Sequence, residues 1–535
     1  MGLASIGFLL PNIYILFTCL FMMGLQSSLF GPAKYSILPE ILDEKKLVKG
    51  NAYVEMGTFI SILLGTILGG IIISLDNGEL LTCIAILILA LFGMFASSKI
   101  RGLKPVNPEL KIQKNIFVGT IRIISVAREI KSIWLSVLAV SWFWFLGAAL
   151  LSIFPSYVKD TLGGNEQVVT CFLTLFCLGA AIGSILSEKF SGHRAELGLV
   201  PIGAIGMSVF LFDLYTIEYP LIEFIQPLGL IDMIKSLDVF PQIMIDLFMV
   251  SLFSGVYSVP LYTFIQERSD KKKLSRIIAA NNIMNALFMV SSSIMLLILY
   301  KFNFSMSEIF LVLCILNMTV SFYVFFVVRD FLLRLFGMIL AKILYRVSFK
   351  GFDNLPKNEA AILSCNHVSF VDWLIIVGMI DRPVRFVMYY KFFENPLFKF
   401  FCKGAKAIPI ASKSEKPDIY KKSFELIKEA YKEGDLLCIL PEGKITQDGE
   451  LSDFRHGLTK IIEQCPMPII PMALTGLWGS FFSRKYGSAL SEPRVILKNF
   501  RKKVQLEAAE MIEPEDFNLE DLKERTEKLI RDSSF

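Results

Sequence analysis

Of the three histidines in this 535-residue chain, His193, His367 and His456, one stands five residues before an aspartate, in Asn366-His367-Val368-Ser369-Phe370-Val371-Asp372. An imidazole can take a proton near neutral pH, and a carboxylate can fix its tautomer and stabilise its charged form. The pair is the minimum equipment for deprotonating an alcohol so that it attacks an acyl carbon. On one continuous helix, residues five apart point about 140° away from each other, so the two side chains meet only if a strand ends near Cys365 and a helix begins near Ser369. Ser369-Phe370-Val371-Asp372 has the [ST]-x-x-[DE] capping pattern ahead of the apolar run Trp373 to Ile376. The plainer alternative makes Asp372 a helix cap and His367 a loop residue.

The elements needed to position that pair are legible downstream of about residue 351. Short apolar strands are expected at 360–365, 384–389, 405–410, 436–440 and 468–474, alternating with helices. The helix 417–433 carries Ile419, Phe424, Ile427 and Ala430 on one stripe. A charged helix at 519–532 and a basic-apolar stretch, Val495 to Val504, follow. The alternation argues an α/β sheet domain.

Two further motifs follow in order: Leu436-Leu437-Cys438-Ile439-Leu440-Pro441-Glu442-Gly443-Lys444-Ile445-Thr446, an acidic-glycine turn after a strand, and Ile469-Ile470-Pro471-Met472. With the histidine segment they resemble the phospholipid/glycerol acyltransferase family. The commoner form of the second motif is EGTR, whose arginine meets phosphate; here Ile445 stands in its place and Lys444 keeps a cation one position earlier. The sequence Glu442 to Thr446, with Gly449 and Leu451, looks like the branch that reacylates 2-acylglycerophosphoethanolamine. The segment Gly404 to Ile410 lies where the family has a glycine and basic motif but lacks its arginine.

The resemblance implies His367 as general base and Asp372 as its orienting carboxylate. Asn366, Ser369, Glu442, Gly443 and Pro471 are implied around the substrate, with Lys444 and Arg455 as candidates for lipid phosphate. It further implies acyl transfer to a lysophospholipid from an acyl carrier protein or coenzyme A thioester, which enters as a substrate. No cofactor is expected, and three scattered histidines build no zinc site of usual spacing.

The rest of the chain is too apolar for a soluble protein: 54% hydrophobic residues and a mean hydropathy of +0.57. A net charge of +5 gives no nucleic-acid signal. Nine cysteines without a CxxC pair read as reduced, buried residues. About nine spans are expected in 1–330, near 5–28, 54–75, 80–98, 133–156, 168–188, 198–216, 241–265, 278–300 and 307–328. The first lacks the basic start of a cleaved signal peptide. Loops near 34–49, 99–131, 189–194 and 268–276 hold nineteen Lys and Arg, whereas the opposite loops hold only Lys159, Lys235 and Lys301. That bias puts the N-terminus outside and the catalytic half in the cytoplasm, on the inner membrane of a cell.

Met23 to Glu40, Gly50 to Glu55, Leu64 to Gly70, and Gly183 to Arg194 resemble the lysophospholipid transporter branch of the major facilitator carriers. On that likeness three N-terminal helices are missing, so the chain is a fragment or a shortened carrier. Ionisable groups inside spans are costly and mark function by default, which singles out Glu55 at the start of the second span and Asp246 in the seventh. Asn282, in the cluster Asn281, Asn282 and Asn285, is a third transport candidate, with helix–helix glue as the alternative. Residues 331–350, apolar but interrupted by Arg334, Lys342, Arg346 and Lys350, suit a basic amphipathic helix at the lipid surface. The expected architecture is an all-α polytopic membrane domain of major-facilitator type (1–330), an interfacial connector (331–350) and an α/β glycerolipid acyltransferase domain (351–535). Two competing functions stay open: a carrier with the acyltransferase as a cargo trap, and a 1-acylglycerol-3-phosphate acyltransferase.

Overall fold

The computed structural model describes residues 1–535 except 11, 74, 101–114, 192–195, 219–225, 357–358, 381, 383, 396–398, 400–401, 404, 486–500 and 534–535. The basic residues of 101–114, His193, Arg194, Gly404 and the stretch 495–500 thus lie outside the described residues. The chain divides into two compact units, Met1–Phe326 and Val327–Phe535.

In the first unit, among the described residues, nine helices are long and apolar enough to cross a membrane: Ile13–Ile41, Lys46–Ile73, Gly78–Ser98, Lys131–Thr161, Glu166–Ser191, Leu199–Thr216, Phe240–Arg268, Leu274–Lys301 and Met306–Val327. Two boundaries differ from the sequence reading. The first span starts at Ile13, because the Asn12 side chain accepts the backbone N–H groups of Tyr14 and Ile15 at 3.0 and 3.2 Å and so caps a new helix after the short helix Gly2–Leu9. The second helix begins at Glu44, so Glu55 lies well inside it rather than at its start. Helices Glu166–Ser191 and Phe240–Arg268 approach through small residues. A Cβ added at Gly183 would sit 1.9 Å from the Leu252 carbonyl oxygen, and one at Gly255 would sit 2.4 Å from that of Ala180. Close backbone approach of this kind is how apolar helices gain packing where lipid supplies no hydrophobic drive.

The second unit is a seven-stranded sheet: β1 (Tyr345–Lys350), β2 (Ala361–Cys365), β3 (Val384–Tyr389), β4 (Ile408–Ile410), β5 (Leu436–Ile439), β6 (Ile469–Thr475) and β7 (Lys502–Ala508). The order is β1-β7-β6-β2-β5-β3-β4. All neighbours are parallel except β6 and β7. Side chains alternate across the sheet. Ala361, Leu363 and Cys365 belong to one buried cluster with Leu374, Ile375 and Met472; Ile362 belongs to the opposite one with Ile427, Leu437 and Ile461. Burial on both faces explains why these strands read as unbroken apolar runs.

The helices at Pro417–Glu433 and Leu519–Asp532 fall where the periodicity predicts them. The stretch 331–350 is corrected: the helix Arg329–Leu344 ends at Leu344 and the chain continues as β1, hydrogen-bonded to β7. The period of two in Tyr345 to Lys350 was hidden by the basic residues it shares with the helix. That helix is also not simply laid on a surface. It packs on the helix Asp372–Met379, where a Cβ at Gly378 would lie 2.8 Å from Met338 Cα.

Candidate active site

His367 lies two residues beyond the end of β2, at the carboxyl ends of the parallel strands, where open α/β sheets form their crevices. Its Nδ1 is 2.7 Å from Asp372 Oδ2. The same oxygen accepts the backbone N–H groups of Val368 at 2.8 Å and Ser369 at 3.0 Å, while Oδ1 is buried with no partner among the described residues. The helix starts at Asp372 itself, not near Ser369, because these bonds hold residues 368–371 as a turn. With the proton on Nδ1, Nε2 is left as the acceptor of the ring. Burial pushes the Asp372 carboxyl above its ordinary value; its bonds to His367, Ser369 and Val368 oppose the shift. Asp372 is almost fully buried, whereas His367 is 22% exposed.

The imidazole opens on a cavity of about 460 Å³, lined on one side by Asn366, Val368, Glu442, Thr446, Gly449, Glu450 and Leu451 and on the other by Leu474, Gly476, Trp478, Lys502 and Lys503. Asn366 fixes its floor: its Nδ2 donates to the Leu474 carbonyl at 3.1 Å and its Oδ1 accepts the Leu474 N–H at 2.7 Å, tying the end of β2 to β6. Glu442 is spent on backbone, accepting from His367 N and Ser452 N. Burial raises its carboxyl pKa, with those backbone bonds pulling the other way.

Several expected substrate residues take other places. Ser369 is fully buried, and its hydroxyl donates to the Phe482 carbonyl at 3.0 Å. Pro471 is buried inside β6 opposite Ser364, where its side chain packs in the sheet. Ile445, at the position of the usual arginine, is buried, and the next residue donates its N–H to the His367 carbonyl at 2.9 Å. Lys444 and Arg455 are exposed and stand outside the cavity lining; the Arg455 side chain lies across Gly443, 2.8 Å from where a Cβ would sit. The cations that do line it, Lys502 and Lys503, come from β7, a stretch whose basic character is visible in the sequence but whose pairing is not.

Residues 346–475 match the Acyltransferase family model. Residues 1–225 match the Major Facilitator Superfamily model. Lysophospholipid transporters LplT from Escherichia coli O157:H7 and from E. coli O6:H1 (strain CFT073) are 26% identical over 280 residues, which is 51% of this chain and 62% of theirs. The chain therefore spans less than two thirds of those relatives. The solved structure of the 1-acyl-sn-glycerophosphate acyltransferase PlsC from Thermotoga maritima is similar at 19% identity and a TM-score of 0.31, over 38% of this chain and 78% of that one. The chain is a multi-pass membrane protein in which the match to the Major Facilitator Superfamily model precedes the match to the Acyltransferase model.

In the first unit, Glu55 is buried and accepts the Tyr35 hydroxyl at 2.6 Å. Tyr35 stacks on Tyr262 with ring centroids 4.8 Å apart, and Trp144 Nε1 donates to the Tyr262 hydroxyl at 3.0 Å. Asn51, one turn from Glu55, shares hydrogen bonds with Gln266 and Thr263. Asn282 is partly buried against Gly31, while its neighbour Asn285 is 2.9 Å from the Ser141 hydroxyl. Asp246 belongs elsewhere. It is on the same helix as Tyr262 but sixteen residues earlier, roughly 24 Å along the axis.

Proposed function

We propose that the acyltransferase domain transfers a fatty acyl group from a thioester to the free glycerol hydroxyl of a lysophospholipid, with 2-acylglycerophosphoethanolamine as the preferred acceptor. His367 Nε2 takes the hydroxyl proton, the oxygen attacks the thioester carbonyl, and the carbon–sulfur bond breaks. The thiol leaves with the proton that the imidazolium returns, and Asp372 stabilises the charged ring meanwhile. General-base help of this kind is worth about two to four powers of ten. The observation that carries the reading is the Asp372–His367 pair, fixed by three donors to one carboxylate oxygen and opening on a cavity of about 460 Å³.

An apolar face supports action at a lipid surface. Phe336 (57% exposed), Leu340 and Ile343 of the helix Arg329–Leu344 and Trp373 of the helix packed on it, with Phe370 beside it in the preceding turn, are open to solvent in one unit that also carries the catalytic pair. In our reading this face meets the cytoplasmic leaflet of the inner membrane, a placement that the positive-inside bias supports. The donor is acyl carrier protein or coenzyme A thioester. The similarity of the membrane unit to LplT, and its buried Glu55 cluster, support transport of lysophospholipid toward the enzyme. The test is purified full-length protein offered lysophosphatidylethanolamine, lysophosphatidylglycerol and lysophosphatidate with both donors. Fastest incorporation into the first is expected. Exclusive use of lysophosphatidate would overturn the acceptor, and no transfer to any of them would overturn the reaction.

A further inference from the structure

The family match ends at residue 475, yet one wall of the cavity is built by residues beyond it. Strand β7 runs antiparallel to β6, with Met472 opposite Ala508 and Thr475 opposite Gln505. Continued by the same count, Lys502 falls opposite Trp478, past the carboxyl end of β6 and on the side of the sheet that carries His367. Lys502 Nζ donates to the Trp478 carbonyl at 2.6 Å, which uses one of the three ammonium donors. Lys485 comes to the same place. Its Nζ and that of Lys502 lie within 3.8 Å of the point where a Cβ on Gly479 would sit. Among the described residues, no carboxylate oxygen lies within 4.0 Å of either nitrogen. Lys503 lines the same wall.

We propose that Lys502, with Lys485 behind it and Lys503 beside it, is the anion site of this cavity and takes a phosphate group of a reactant. The inference rests on the acyl-transfer reading above. Lys502 is half-buried and Lys485 exposed beside it; two like charges brought together with no carboxylate beside either among the described residues are unfavourable unless an anion joins them. Burial first and Lys485 second lower the Lys502 pKa, in keeping with that crowding. The second motif brings no cation to the cavity lining, since Ile445 is buried and Lys444 is exposed outside it. An anionic oxygen at Lys502 would gain charge-assisted hydrogen bonds from the two remaining donors. Two reactants could supply it: the headgroup phosphodiester of the acceptor, or the phosphodiester of the phosphopantetheine arm of the donor.

The test compares full-length wild type with Lys502→Gln, Lys485→Gln and Lys502→Arg in steady-state assays. Acceptors are lysophosphatidylethanolamine and the matching phosphate-free monoacylglycerol; donors are acyl-coenzyme A and the acyl thioester of N-acetylcysteamine. We expect Lys502→Gln to raise KM about tenfold or more for one phosphate-bearing reactant and not for its phosphate-free counterpart, with kcat nearly unchanged. Lys485→Gln should do so to a smaller extent, and Lys502→Arg should restore most of the loss. A KM effect confined to lysophosphatidylethanolamine assigns the site to the headgroup; one confined to acyl-coenzyme A assigns it to the donor. KM values within twofold of wild type for every reactant in the glutamine variants overturn the proposal, as do equal rises with and without phosphate. A wild type without transfer activity would instead remove the acyl-transfer reading, so the two failures are separable.

Discussion

Glu442 Oε1 accepts the backbone N–H of His367 at 2.7 Å across 75 residues, and its Oε2 accepts that of Ser452 at 2.8 Å. One carboxylate of the second motif thus holds the backbone of the first and the loop that closes the cavity. Its place in the site is to position His367, without touching the imidazole.

The catalytic assignment predicts that His367→Ala leaves the protein folded and lowers kcat by roughly two to four powers of ten. His367 is partly exposed and makes no side-chain contact that the fold needs beyond Asp372. Radiolabelled acyl transfer together with thermal unfolding separates the two outcomes. Near-normal turnover in the folded variant would end the general-base role.

Asp372 should distinguish shape from charge. Asp372→Asn keeps an oxygen for the N–H groups of Val368 and Ser369 and should fold, while losing most activity because a neutral amide does not stabilise imidazolium. Asp372→Ala leaves those buried N–H groups unpaired at about 1–3 kcal/mol each and should also lower the melting temperature. Equal melting temperatures for the two variants would count against this account.

The carboxyls of Asp372 and Glu442 are both raised by burial above their ordinary values of 3.8 and 4.5. The folded state therefore holds their protons more tightly than the unfolded one. Their contribution to stability is full below those values and is lost as pH rises through the raised ones. Wild type is expected to lose some stability between about pH 4 and the raised values, and the double variant Asp372→Asn, Glu442→Gln to lose less. Thermal unfolding of the detergent-solubilised protein across that window measures the difference; a steeper loss in the double variant would contradict the sign.

Gly449 has φ +97°, and a Cβ there would sit 2.8 Å from the Trp478 indole nitrogen. Gly449→Ala should strain the loop and push Trp478 into the cavity, raising KM for the larger reactant and costing about 1–2 kcal/mol for the backbone alone. At Gly443 (φ +64°) the obstructing atoms belong to the flexible, exposed Arg455 side chain, so Gly443→Ala should spare KM. Identical kinetic effects at both glycines would show that Trp478 does not shape the cavity.

In the membrane unit, Gly183→Val would drive a side chain into the Leu252 backbone. The expected result is a lower thermal stability of detergent-solubilised protein, whereas Gly65→Val, where a Cβ meets nothing within 4 Å, should be tolerated. Size-exclusion chromatography after a heating series tests the contrast.

The sequence by itself determined what depends on local chemistry and period. A carboxylate five residues after a histidine, between an apolar strand and a capped apolar run, already implies the turn in which they meet. The apolar lengths imply the spans, the stripe of Ile419, Phe424, Ile427 and Ala430 implies its helix, and three ordered motifs imply the acyltransferase domain. What only the tertiary structure decided is what non-local pairing decides. Strand β1 joins the sheet because β7, more than 150 residues later, supplies its hydrogen bonds. Ser369 and Pro471 are packing residues because the sheet and the Phe482 loop bury them. Lys502 reaches the cavity, and Lys444 does not, because antiparallel β7 starts at the end of β6 where His367 lies. A cation carries no periodic signal of its own, so its destination is fixed only when the strand that bears it has found its neighbour.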